Sequence, residues 1–125
     1  MKEKTLANRV WNQIQSVQPE ELAKINVNAL ARLNGVSVPN LSRAFKKYFD
    51  FKLSTYLKLK KMRAFETIIK NNPYMTIKSA LDKLDIQSSS NFGIRYKKYR
   101  SDGMPPSYLV LESRIEHLQK LRHKR

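Results

Sequence analysis

The sequence contains no cysteine and only three glycines among its 125 residues. Without cysteine the chain forms neither disulfide bonds nor thiolate metal sites, which suits a reducing compartment. No apolar run approaches the ~20 residues of a membrane-spanning helix, and the N-terminus lacks the apolar segment of a signal peptide. These absences predict a protein of the cytoplasm that has no membrane partner.

Acidic residues are also scarce, with 10 Asp and Glu against 25 Lys and Arg. The formal net charge is +15 and the isoelectric point is about 10.2. This imbalance favours a polyanionic partner such as a nucleic acid. The alternative is a strongly solvated surface that binds no polyanion. A chain of 14.7 kDa forms one compact domain, or two small subdomains that share a helix, and leaves little room for a catalytic cleft.

Residue patterns typical of enzymes are missing as well. The two histidines, His117 and His123, stand alone in a polar helical segment. The sequence contains no Ser-His-Asp arrangement, no carboxylate pair and no metal-ligand spacing. We therefore expect no enzymatic activity, no catalytic residues, no cofactor and no metal.

One ten-residue segment occurs twice, as LSRAFKKYFD from Leu41 and as FGIRYKKYRS from Phe92. Each copy places an apolar residue four positions before an aromatic one and then adds two lysines and a tyrosine, which is helical spacing. At about 100° per residue, a helical wheel divides the first copy into two faces. The packing face holds Leu41, Ala44, Phe45 and Tyr48, and the cationic face holds Pro39, Arg43, Lys46 and Lys47.

The residues before the first copy are typical of a helix-turn-helix. Ala31 is small where two helices would cross, Gly35 is free to adopt a positive φ in the turn, and Ser37 is a good N-cap. Asn26 and Thr76 are similar caps, and Asp85 is expected to replace the turn glycine in the second copy. Apolar periodicity predicts helices over residues 5–17, 27–33, 38–49, 53–70, 77–84 and 88–100, and a last one from about 111.

The predicted fold class is all-α, with two helix-turn-helix subdomains joined by a long central helix. Residues 1–51 would hold an N-terminal helix, in which Trp11 is a core residue, and the first helix-turn-helix. Residues 52–71 would form the linker helix. Residues 72–125 would hold the second helix-turn-helix, a C-terminal helix and a basic tail.

Taken together, these features resemble the DNA-binding domain of the AraC/XylS family of bacterial transcription regulators. The resemblance covers roughly residues 26–109 and rests on Leu30-Ala31, Gly35-Val36-Ser37, Leu41-Ser42-Arg43, Phe45-Lys46-Lys47, Tyr56-Leu57, Lys61-Met62, Ile68-Ile69, Ser90, Phe92, Tyr96-Lys97 and Pro105-Pro106-Ser107-Tyr108. The chain departs from the family at Asp50 and Asp85, which replace glycines, and at Phe65 and Leu81, which replace small residues.

A helix that enters the major groove reads bases with the face opposite its core and holds phosphates with its lysines. The DNA-binding residues predicted in the first recognition helix are Ser37, Pro39, Asn40, Ser42, Arg43, Lys46 and Lys47. Those predicted in the second are Ser88, Ser89, Ser90, Asn91, Ile94, Arg95, Lys97 and Lys98. Where the first copy has Arg43, the second has Ile94, so the first should set most of the specificity.

The resemblance implies a sequence-specific regulator, in particular an activator, that binds promoter DNA in the bacterial nucleoid and contacts RNA polymerase. Because both recognition helices belong to one chain, a monomer is expected to occupy two successive major grooves. The alternative is sequence-independent binding of DNA or RNA, since charge alone gives affinity for any phosphate backbone.

The C-terminal helix carries an apolar stripe formed by Leu111, Ile115, Leu118 and Leu121. We expect this stripe to pack on its own domain. The alternatives are contact with a partner, which includes dimerisation through this helix or through a region outside the chain, and contact with a membrane surface.

Overall fold

The computed structural model of the protein describes residues 2–87 and 89–123, with only the backbone of Ser89. These residues form seven α-helices and one 3-10 helix and contain no strand, so the all-α prediction is confirmed. The α-helices are α1 (Glu3–Gln15), α2 (Val27–Leu33), α3 (Val38–Phe49), α4 (Leu53–Asn71), α5 (Ile77–Lys83), α6 (Ser89–Tyr99) and α7 (Pro106–His123), and the 3-10 helix is Pro19–Lys24.

The chain divides into two compact units, unit 1 (Met1–Lys61) and unit 2 (Met62–Arg125). The boundary lies inside α4, so the first half of this helix belongs to unit 1 and the second half to unit 2. The long helix predicted between the two repeats is present, although each of its halves packs as part of a unit.

Three helices begin at the predicted capping residues. The side chain of Asn26 accepts a hydrogen bond from the amide of Ala29 at 2.7 Å. Ser37 and Thr76 cap α3 and α5 in the same way, at 3.3 and 3.1 Å. These bonds satisfy amides that have no partner within the helix, which is why such residues mark helix starts.

Left-handed backbone conformations lie where the sequence predicts tight turns. Gly35, between α2 and α3, has a φ of 65°, and Asp85, at the matching turn of unit 2, has a φ of 55°. The predicted replacement of glycine by Asp85 is confirmed. Asp50 ends α3 with a φ of 61°. Aspartate adopts this region more readily than most residues because its short side chain bonds locally to the backbone.

The core of unit 1 forms where α1 packs against α3. Trp11 stacks on Phe49 and on Tyr56, with ring centroids 4.9 Å apart in both pairs, so its predicted packing role is confirmed. The assignment of Tyr48 to the packing face is wrong, because its side chain is 43% exposed. Trp11 covers the flank of α3 that carries Phe49, which leaves Tyr48 on the uncovered flank.

The core of unit 2 is built around Phe65 of α4, which meets the rings of Phe92 and Tyr96 edge-on at 4.8 and 5.7 Å. The Tyr96 hydroxyl donates to Glu66 at 2.9 Å, and Tyr99 donates to the same carboxylate at 3.2 Å. Burial, together with the Glu66 carboxylate, raises the pKa of Tyr96 well above its ordinary value. Tyr96 therefore remains protonated and donates over the physiological pH range.

α7 packs through a different face from the one expected. Leu109 and Ser113 are buried, and the Ser113 hydroxyl donates to the Leu109 carbonyl at 2.8 Å. Arg114 Nε donates to the carbonyl of Pro73 at 2.9 Å. The predicted packing of the apolar stripe on its own domain is wrong, because all four of its residues are about half exposed: Leu111, Ile115, Leu118 and Leu121.

Candidate nucleic-acid interface

α3 presents two opposite faces. Leu41, Ala44 and Phe45 are buried. The other side of the helix is exposed and carries most of the predicted contact residues, namely Pro39, Asn40, Arg43, Lys46 and Lys47. Ser42 lies half-buried at the edge of this surface, and Ser37 is exposed at the start of the helix, where it serves as the N-cap. Most of the residues predicted to contact DNA through α3 therefore lie on the exposed, largely polar and cationic side of this helix.

Beside this surface lies an open cleft of about 580 Å³ within unit 1. Its lining residues are Ser42, Arg43, Lys46, Lys47, Lys52, Leu53 and Ser54. Lys52 and Ser54, at the start of α4, line this cleft and are not among the contact residues predicted from the sequence. The signal was present, because a lysine and a serine at the start of a long helix supply a cation and a hydroxyl near amides that attract anions. The cleft therefore extends the cationic surface of α3 onto α4.

One of the cationic residues is already paired. Lys47 Nζ lies 3.1 Å from Glu3 Oε2, and both side chains are largely exposed. The hydrogen bond to Glu3 raises the pKa of Lys47, so the ammonium stays charged. Because the pair is exposed, water and salt weaken it. A phosphate near Lys47 would have to compete with Glu3, whereas Lys46 faces no such competitor among the described residues.

α6 of unit 2 repeats the division into two faces. Phe92 and Tyr96 are buried, while Ile94 is 57% exposed. The other exposed residues predicted to contact DNA are Ser90, Asn91, Arg95, Lys97 and Lys98. The predicted contacts of Ser88 and of the Ser89 side chain lie outside the described residues. The surface of α6 thus resembles that of α3 in its paired lysines but has an aliphatic residue at the position of Arg43.

Arg100, which follows α6, is held by an ion-pair network. Its guanidinium bonds to Asp102 at 2.7 Å and to Glu112 at 3.0 Å, and it lies 5.4 Å from the centre of the Tyr108 ring. The hydrogen bond from Arg100 keeps the pKa of Asp102 below its ordinary range. Arg100 therefore ties the end of α6 to α7 and is not free to hold a phosphate.

A second open cavity, of about 520 Å³, lies within unit 2 and has the opposite electrostatic character. Four carboxylates line it, from Glu66, Asp102, Glu112 and Glu116, against the cations Lys70 and Arg100. An anion is repelled from this side of unit 2. The cationic faces of α3 and α6 therefore suit a polyanion better than this cavity does.

Within residues 2–87 and 89–123, no group of three or more histidine or acidic residues is arranged to hold a metal ion. In the same ranges, no helix is both long and apolar enough to cross a lipid bilayer. Comparison of the chain with models of protein families, with curated proteins and with solved structures finds no match.

Proposed function

We propose that the protein is a sequence-specific regulator of transcription that binds double-stranded DNA. The observation that carries the proposal is the construction of α3. A tight turn at Gly35 and the Ser37 cap precede a helix whose apolar side is buried and whose opposite side is cationic. These features support the proposal that α3 is the recognition helix of a helix-turn-helix, as the resemblance to the AraC/XylS family implies.

The residues of α3 divide by chemistry into readers and anchors. Arg43 and Asn40 carry side chains that bond bidentately, arginine to guanine and asparagine to adenine, in a groove about 12 Å wide. Lys46, Lys52 and Ser54 surround the cleft beside the helix and are suited to phosphate oxygens. Reading and anchoring groups thus adjoin each other on one surface, as insertion of α3 into a major groove requires.

In the same proposal, α6 of unit 2 enters the next major groove of the same duplex. Lys97 and Lys98 repeat the phosphate anchors, and Ile94 offers an apolar contact of the kind that fits a thymine methyl group. This step rests on the sequence repeat and on the exposed face of α6. Bound to a promoter in this way, one chain would act by recruiting RNA polymerase.

Sequence-independent nucleic-acid binding is the second candidate, and the net charge of +15 is the observation that favours it. Most of the aromatic side chains argue against a single-strand binder, although Tyr48 is exposed on α3. Trp11, Phe49, Phe92 and Tyr96 pack against other rings inside the two units, so they are not available to stack on bases.

Selection from a random pool of duplexes tests the proposal, followed by footprinting on the enriched sequence. We expect one chain to protect an asymmetric site of about two helical turns, in the presence of excess competitor DNA. Failure to enrich any sequence would support the sequence-independent alternative. A palindromic site occupied only by a dimer would contradict the proposal that one chain carries both reading helices.

The salt dependence of binding should identify the phosphate anchors. Each neutralised phosphate contributes a slope of roughly 0.9 in a plot of log affinity against log salt. Lys46→Ala and Lys97→Ala should each lower this slope and leave the preferred sequence unchanged. Binding titrations at several salt concentrations measure this slope. The control is Lys24→Ala, which also removes one positive charge but lies outside α3 and α6. A shift in sequence preference would show that either lysine reads bases.

A further inference from the structure

A single carboxylate of α4 holds α6 at two points. Glu66 Oε2 accepts a hydrogen bond from the Tyr96 hydroxyl at 2.9 Å, and Glu66 Oε1 accepts one from the Tyr99 hydroxyl at 3.2 Å. The Tyr96 side chain is fully buried, whereas Glu66 and Tyr99 are half-buried. All three residues belong to unit 2. We call Glu66, Tyr96 and Tyr99 the tyrosine clasp.

The first copy of the repeat cannot form this clasp. The residue of α3 that corresponds to Tyr96 is Phe45, which has no hydroxyl group. The residue that corresponds to Tyr99 is Tyr48, which is 43% exposed. Apolar packing is non-directional, whereas a hydrogen bond prefers a narrow range of distances and angles. The clasp therefore places a directional constraint on α6 that the same positions of α3 do not supply.

We propose that Glu66 is a positioning residue that, through the tyrosine clasp, fixes the rotation of α6 about its own axis. The two tyrosines lie about 60° apart on the helix, at about 100° per residue. Ile94, Lys97 and Lys98 lie on the opposite side, and all three are exposed. A carboxylate that holds both tyrosines therefore determines where these three side chains point. The inference rests on the proposed function, in which this side of α6 enters a major groove.

A small rotation of α6 is enough to change its contacts. Side-chain atoms lie about 5 Å from the helix axis, so a rotation of about 20° moves them by about 2 Å. Ile94 is β-branched and stiff, so its side chain cannot follow a groove that has moved by this distance. Loss of the clasp would not unfold the helix, because Phe92 and the ring of Tyr96 still pack against Phe65. The clasp thus acts on the orientation of α6 and not on its formation.

Residual dipolar couplings, measured by NMR on the full chain without nucleic acid, test the positioning role. They report the orientation of α6 relative to α5 within unit 2. In Tyr99→Phe, which removes one bond and keeps the ring, the couplings of α6 should change while those of α5 stay the same. The matched control is Tyr48→Phe, at the corresponding position of α3, which should change neither set. Unchanged couplings of α6 in both Tyr99→Phe and Glu66→Ala would overturn the proposal.

Rescue by glutamine separates positioning from a general loss of stability. Glu66→Ala removes both acceptors and should change the couplings of α6 more than Tyr99→Phe does. Glutamine keeps an oxygen that accepts from Tyr96 and gains an amide group that donates to the Tyr99 hydroxyl. Glu66→Gln should therefore restore the couplings of α6. A glutamine variant as altered as the alanine variant would contradict the proposal, and Tyr99→Phe decides if Glu66→Ala does not fold.

Binding to the duplex enriched by selection tests the consequence for recognition. Glu66→Ala should weaken binding about tenfold, which is the strength of roughly one hydrogen bond to a charged group. Hydroxyl-radical footprints should lose protection in the groove of α6 and keep it in the groove of α3. Equal loss in both grooves would overturn the positioning role. If the unmodified chain selects no sequence, the proposed function fails, and the couplings of the free chain still decide whether Glu66 orients α6.

Discussion

Replacing Arg43 with alanine should relax the sequence specificity of DNA binding more than any other single change in the exposed faces of α3 and α6. A bidentate contact from arginine to guanine supplies about 1 to 3 kcal/mol of discrimination, or roughly 5- to 150-fold in affinity. Arg43 is exposed on the side of α3 opposite Leu41 and Phe45, which is the side that would face the bases in the proposed complex. Arg43→Ala should therefore bind all variants of one base pair with nearly equal affinity.

The matched comparison is made with unit 2 of the same chain. Ile94 stands at the position of Arg43 in the repeat and offers only an apolar contact, so Ile94→Ala should change discrimination little. Arg95 is exposed, and we assign it to phosphate positioning, so Arg95→Ala should weaken all sites alike. A panel of single-base variants of the selected site measures all three. Arg43 would not be the principal reader if its loss weakened every site equally while Ile94→Ala or Arg95→Ala relaxed one base pair.

Phe45→Ala should unfold unit 1 or come close to doing so. Phe45 is fully buried and contacts the rings of Phe49, Phe51 and Tyr56. Removal of a buried phenylalanine costs about 3 to 5 kcal/mol, because apolar surface is lost and a cavity remains. Whole domains are stable by only about 5 to 15 kcal/mol. The substitution would therefore remove a large share of the free energy of unfolding of the unit.

The control for this prediction is Tyr48→Ala, one turn further along α3. Tyr48 is 43% exposed, so its loss should cost no more than about 0.5 kcal/mol, as expected for a surface position. Urea unfolding followed by fluorescence of Trp11 measures both variants. Trp11 is the only tryptophan and stacks within unit 1, so its signal reports on that unit. Equal costs for Phe45→Ala and Tyr48→Ala would place Tyr48 in the core after all.

The sequence by itself determined that the chain is helical, where three of the helices start and where the tight turns lie. Asn26, Ser37 and Thr76 cap helices by accepting a hydrogen bond from the backbone amide three residues later. Asp85 adopts the positive φ that the tight turn requires. These are local interactions between residues close in the chain, so local sequence predicts them. The division of α3 into a buried side and a cationic side was predictable for the same reason, because helical periodicity alone creates it.

Only the tertiary structure decided which apolar flank is covered and which charges are paired. The stacking of Trp11 on Phe49 left Tyr48 exposed, and the burial of Leu109 and Ser113 left the apolar stripe of α7 exposed. The pairing of Lys47 with Glu3, and the cleft that brings Lys52 to α3, also depend on how separate helices pack. Periodicity shows that a helix has an apolar side, but the neighbouring helices select the side that is buried, and these neighbours lie far away in sequence.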